Sequence, residues 1–93
     1  MKQDFINPKP EYLAKIQRQL QERLPMWVIY NQATSDYPGR WVTRLHISLP
    51  TPEHTRFVML RDTLQDIRDA LPPGLTRMNR DPNDDANIVE VWL

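Results

Sequence analysis

Cysteine is absent from this chain of 93 residues, and glycine occurs twice, at Gly39 and Gly74. The first absence excludes disulfides and every thiolate metal site or nucleophile. The second excludes a phosphate-cradling loop, which needs several glycines together at a helix start. An excess of charge is also lacking: 12 Lys and Arg balance 12 Asp and Glu. Proteins that hold duplex nucleic acid usually carry a basic surplus, so composition points away from that class and leaves only a local patch open. No apolar run approaches the roughly 18 residues of a membrane helix. The opening Met1-Lys2-Gln3-Asp4-Phe5 has no apolar signal-peptide core. A small chain without disulfides fits a reducing compartment. The expectation is a cytoplasmic protein with no membrane contact.

What is present is ordinary globular material, 40% hydrophobic and 26% charged, enough for one core and one domain over residues 1–93. Nine prolines cut the chain into short pieces. Residues 1–9 read as a loose lead-in. Pro10 sits where a first helical residue tolerates a missing N–H. Leu13, Ile16, Leu20 and Leu24 then recur at helical spacing, which predicts a helix over residues 10–24, stopped by Pro25. Met26 to Tyr30 is aromatic and β-branched and reads as a buried strand. Asn31 to Arg40 is a loop with a Pro38-Gly39 turn.

Trp41 to Leu49 alternates, with Trp41, Thr43, Leu45, Ile47 and Leu49 on one face and Val42, Arg44, His46 and Ser48 on the other. Thr55 to Leu60 reads as its hairpin partner. Placing Ile47 opposite Phe57 and Leu45 opposite Met59 keeps both faces consistent. Asp62, with Gln65 three residues on, suggests the cap of a short helix carrying Leu64, Ile67 and Leu71. That helix should lie over Trp41, Leu45, Ile47, Phe57 and Met59. Pro72-Pro73-Gly74 stops it. Leu75 to Asn79 is a short strand or extended piece, Arg80 to Asn87 a polar loop, and Ile88 to Leu93 a final strand that must pair inside the sheet. The fold class is α+β: a small antiparallel or mixed sheet of about four strands with two helices, in the order α-β-β-β-α-β.

Trp27-Val28-Ile29-Tyr30, Asp36-Tyr37-Pro38 and Val42 with Arg44 are followed by Leu71-Pro72-Pro73-Gly74-Leu75 and Ile88-Val89-Glu90 with Trp92-Leu93. This pattern resembles a group of small bacterial proteins of unknown activity, over residues 26–93. The resemblance implies an association with phage or mobile-element genes. It brings no catalytic residue, and the first helix lies outside it.

Each chemistry the residues suggest has a plainer competitor. His46 and Ser48 share a strand face, but no Gly-x-Ser-x-Gly elbow exists to hold a nucleophile. Two histidines without cysteine match no zinc pattern. Asp81-Pro82-Asn83-Asp84-Asp85 opens like a calcium loop, yet Ala86 stands where glycine is required and Trp92 where a bidentate Glu belongs. Catalytic, metal and cofactor sites are therefore not expected. Arg44, His46 and Arg56 on one sheet face, with Tyr30 near them, would suit single-stranded nucleic acid. Tyr37, Arg40 and Trp41 around a loop tip are residue types enriched in protein interfaces. The leading expectation is a small non-enzymatic domain that binds another protein, using Tyr37, Arg40, Trp41, Arg44, His46 and Arg56. The alternative is a nucleic-acid module using the Arg-bearing face. A monomer and a homodimer both fit.

Overall fold

The structure, a computed structural model, describes residues 3–79 and 81–93. The first two positions of the expected lead-in and Arg80 fall outside them. Pro10–Gln19 forms a helix (α1), followed by a 3-10 turn at Gln21–Arg23, and Leu64–Ala70 a second helix (α2). The strands are Phe5–Ile6 (β1), Pro25–Tyr30 (β2), Trp41–Ile47 (β3), Glu53–Arg61 (β4), Arg77–Met78 (β5) and Ile88–Trp92 (β6). They make one sheet in the order β1-β4-β3-β2-β6-β5. β1 runs parallel to β4 and every other pair is antiparallel. The domain is α+β with two helices, as its patterning implies. The sheet has six strands where about four were expected.

Both additional strands are two residues long. β5 falls inside the stretch expected to be extended. β1 corrects the reading of residues 1–9 as a loose lead-in. Its two residues carry little strand signal of their own. Contacts more than 30 residues away hold it, and no local pattern reveals those.

Both helices lie on one face of the sheet. Leu13 and Ile16 of α1 bury against Trp27, Leu45 and Met59, with Phe57, Ala70, Leu71 and Trp92 packed around them. Ile67, on the inner side of α2, is fully buried, and α2 lies over β4 and β3. α1 ends earlier than expected. Its last turn tightens into the 3-10 turn, and Leu24 takes a left-handed conformation with φ 51° before Pro25 opens β2. The cap of α2 is Thr63 and not Asp62: its hydroxyl accepts the Asp66 amide at 3.1 Å.

The β3–β4 register also differs from expectation. Met59 lies opposite Thr43, and beyond an irregularity between Arg44 and His46 the pairing resumes at His46 opposite His54. A shift of two residues preserves the side-chain alternation, so Met59 still reaches the core. Thr55 holds the irregularity in place. Its hydroxyl donates to the Leu45 carbonyl at 2.7 Å and accepts the Phe57 amide at 3.2 Å. Such bulges are fixed by side-chain bonds that period-two patterning cannot show.

On the helix-covered face β6 carries a buried carboxylate. Glu90 accepts from Arg68 Nε at 3.1 Å, closely from Arg68 Nη2, and from Trp92 Nε1 at 3.0 Å, with Arg77 3.5 Å away. It ties α2 and β5 to the last long strand.

Candidate functional site

The sheet face away from the helices was expected to be polar. It carries a second apolar cluster of Val42, Val58 and Leu60, with Tyr30 and Tyr37 against it. The loop of residues 31–40 turns back over this face. The Gly39 amide bonds the Gln32 carbonyl at 2.8 Å, and Gly39 takes φ 82°, a conformation that suits glycine. Tyr37 is thereby laid over β3 and β4.

Arg44, from the middle of β3, lies at the centre of the site. Nη1 donates to Asp4 Oδ1 at 2.8 Å and Nη2 to Asp4 Oδ2 at 2.9 Å, a bidentate pair. Nη1 also donates to the Thr55 carbonyl at 2.9 Å, and Nη2 to Asp36 Oδ2 at 3.2 Å. Tyr37 donates its hydroxyl to Asp4 Oδ2 at 2.5 Å. Asp4 thus has three side-chain donors. The Arg44 bonds hold its carboxyl below the usual range, against an opposing effect of burial. Burial first, and then the bond to Asp4, push the Tyr37 phenol up to about 12. Chemically this is a carboxylate seat built from a guanidinium fork and a phenol.

The residues next to Asp4 complete the attachment. The Asn7 amide donates to the Val58 carbonyl at 2.8 Å. Asn7 Oδ1 accepts the Leu60 amide at 2.8 Å and Arg61 Nη1 at 2.7 Å. Arg56 donates to the Gln3 carbonyl at 3.3 Å. Phe5 and Ile6 between these anchors are poorly covered, 50% and 49% exposed. Phe5 lies 5.7 Å from Phe57 and 6.2 Å from Tyr12, ring centre to ring centre, and Tyr12 is itself 42% exposed. An aromatic patch therefore stands at the β1 edge of the sheet.

Of the residues singled out from sequence, Tyr37, Arg44 and His46 come together on one face. His46 Nε2 lies 3.2 Å from the Tyr30 hydroxyl, and its ring stands 6.1 Å from that of His54. Burial, then His54 and Arg44, depress His46 to about 4. It is neutral near pH 7 and poorly matched to general-base work there. Ser48 lines a different hollow, with Leu24, Met26 and Leu93. Arg40 and Trp41 are apart from this group, and Arg56 reaches it through Gln3, the residue next to Asp4. Arg40 reaches Asp62 at 3.1 Å, Trp41 pairs across the ladder with Arg61, and Arg56 lies at the irregular stretch of β4. The N-terminal helix does not cover the Arg44 face; it packs on the opposite one. For nucleic acid to use this face, Arg44 would have to leave two carboxylates.

A shallow basin of about 310 Å³ opens beside Arg44, lined by Tyr30, Asp36, Val42, His54 and Asp85. Asp81 and Asp85 bond the amides of Asn83 and Asn87 at 2.8 Å each, as turn-capping carboxylates do. Among the described residues no three His, Asp or Glu side chains converge as a metal would require. No helix among them is long and apolar enough to cross a membrane.

Sequence reasoning missed Asp4, Phe5, Ile6, Asn7 and Tyr12. The available signal was slight: an apolar pair between an acid and Asn7-Pro8. No family model, curated protein or solved structure matches the chain.

Proposed function

We propose that this is a non-enzymatic domain that binds another protein at the β1–β4 edge of its sheet. The observation that carries the reading is the aromatic patch. Phe5, Tyr12 and Phe57 stand within 6.2 Å of one another, ring centre to ring centre, next to the half-exposed Ile6. Clustered aromatic side chains with room to bury further area are the usual centre of a protein interface. Sheet edges are recurrent docking lines for extended segments. Arg56 and Lys9 at the margin would supply the polar rim. Two of the expected interface residues have a different part in this reading: Tyr37 of the 31–40 loop and Arg44 of β3 hold the edge strand in place.

The test is site-specific photo-crosslinking in cells that carry the protein. A crosslinker at Tyr12 should capture one polypeptide that a crosslinker at Gln65, on the outer side of α2, does not. Excess wild-type chain should compete for it, and a Tyr12→Ala chain should not. Equal capture from both positions, or none from Tyr12, would refute the reading.

A further inference from the structure

We propose that the β4 edge is a receptor for an extended strand bearing a carboxylate, and that residues 3–7 occupy it as an intramolecular stand-in. The partner is a protein segment of the pattern acid–apolar–apolar–Asn, running parallel to β4. The proposal rests on the edge-binding reading above and adds to it the chemistry of the ligand.

Three observations converge. Every group that grips the segment belongs to the body of the domain. Arg44 and Tyr37 take the carboxylate, the Leu60 amide and Arg61 take the Asn7 carboxamide oxygen, and the Val58 carbonyl takes the Asn7 amide. The same donors and acceptor would serve those groups on any other chain. Apolar anchorage is weak, because Phe5 and Ile6 each keep about half their surface in water. Finally, the segment joins α1 through Asn7, at φ 52°, then Pro8 and Lys9, with Pro10 opening the helix. Neither proline can donate a ladder bond, so the β1 pairing stops at this link. Its departure would give up the Phe5–Tyr12 ring contact but leave α1 anchored on the core through Leu13 and Ile16.

Binding in trans must compete with an occupant tethered by a short link, at an effective concentration on the order of millimolar. The wild-type chain would therefore take a free peptide poorly, and weakening the tethered occupant would open the site. Asp4 is the place to weaken it, since its carboxylate fills the seat.

The experiment titrates a fluorescent peptide with the sequence of residues 3–9 into the full-length chain and follows anisotropy. The Asp4→Ala chain should bind it about ten-fold or more tighter than wild type. The same peptide carrying Ala in place of its Asp should lose that gain. Arg44→Lys in the Asp4→Ala background should lose it too, because an ammonium cannot form the bidentate pair. Circular dichroism establishes that each variant is folded. If Asp4→Ala is not, Asp4→Asn carries the test. Equal affinity for both chains, indifference to the peptide's Asp, or no binding at all would overturn the proposal. So would a concentration-dependent dimer without peptide uptake, which would make a second copy the occupant. If the peptide fails while the Tyr12 crosslink persists, only this inference falls.

Discussion

Replacing Glu90 should destabilise the domain through a network no functional reading requires. The carboxylate is 9% exposed and accepts from Arg68, Arg77 and Trp92, joining α2, β5 and β6. Removing one partner of a fully buried ion pair costs about 3–5 kcal/mol. Here the guanidinium groups are less buried than Glu90, at 32% and 56% exposed, so they can rehydrate when the carboxylate is gone. Discounting for that, Glu90→Ala should cost about 2–3 kcal/mol. For a domain of this size the fall in Tm is about 10–20 °C. The hydrogen bond from Arg68, opposed by burial, holds the Glu90 carboxyl below its ordinary value. A depressed carboxylate contributes stability that is fully present above its unfolded-state pKa, about 4.3, and lost as pH falls through the folded value. The gap between wild type and Glu90→Gln should thus be full at pH 7 and shrink below about pH 4.3. Thermal melts by circular dichroism across this range measure both effects. A Glu90→Ala melt within about 2 °C of wild type at pH 7 would refute the reasoning, as would a gap that persists unchanged in acid.

Other outcomes follow from the same contacts. His46, depressed to about 4, should show that midpoint in an NMR titration of its ring protons. Because its folded pKa lies below the unfolded one, it costs stability progressively from about pH 6.5 down to about 4. His46→Gln should flatten the pH dependence in that window, and an unchanged slope would count against it. Thr63→Ala removes the cap on the Asp66 amide and should cost about 1 kcal/mol in denaturant melts, while Asp62→Ala should change stability by less than about 0.5. Leu24 holds a left-handed conformation and is 53% exposed. Leu24→Gly should therefore raise stability by up to about 1 kcal/mol, and a clear loss would show that the side chain is needed.

Much of this fold is legible in the residues because its long elements obey period rules. The stripe Leu13–Ile16 and the alternation from Trp41 to Ile47 correctly place the helix-covered core. What escaped depends on partners distant in sequence. β1 is two residues long and is held by Asp4 on Arg44 and Asn7 on Leu60, 40 and 53 residues away. The β3–β4 register turned on Thr55 bonding Leu45, a choice between pairings that patterning alone leaves equivalent. For the site, alternation correctly put Arg44 and His46 on one face. It could not show that a carboxylate from the far end of the chain already sits on Arg44. The aromatic patch was invisible for the same reason: Phe5, Tyr12 and Phe57 lie on three elements that only the sheet order brings together.

Amide hydrogen exchange at Asn7 tests most directly whether residues 3–7 form a detachable occupant of the β4 edge. Its N–H is protected by the Val58 carbonyl, while the amides of β2 and β3 sit in the middle of the sheet. In the wild-type chain Asn7 should exchange through local opening, faster than those central amides. Asp4→Ala, which removes contacts together worth about 1.5–3 kcal/mol, should accelerate it about 10- to 100-fold and leave β2 and β3 unchanged. If Asn7 instead exchanges only with global unfolding, and Asp4→Ala speeds every amide alike, the segment is an integral strand and the edge is no receptor.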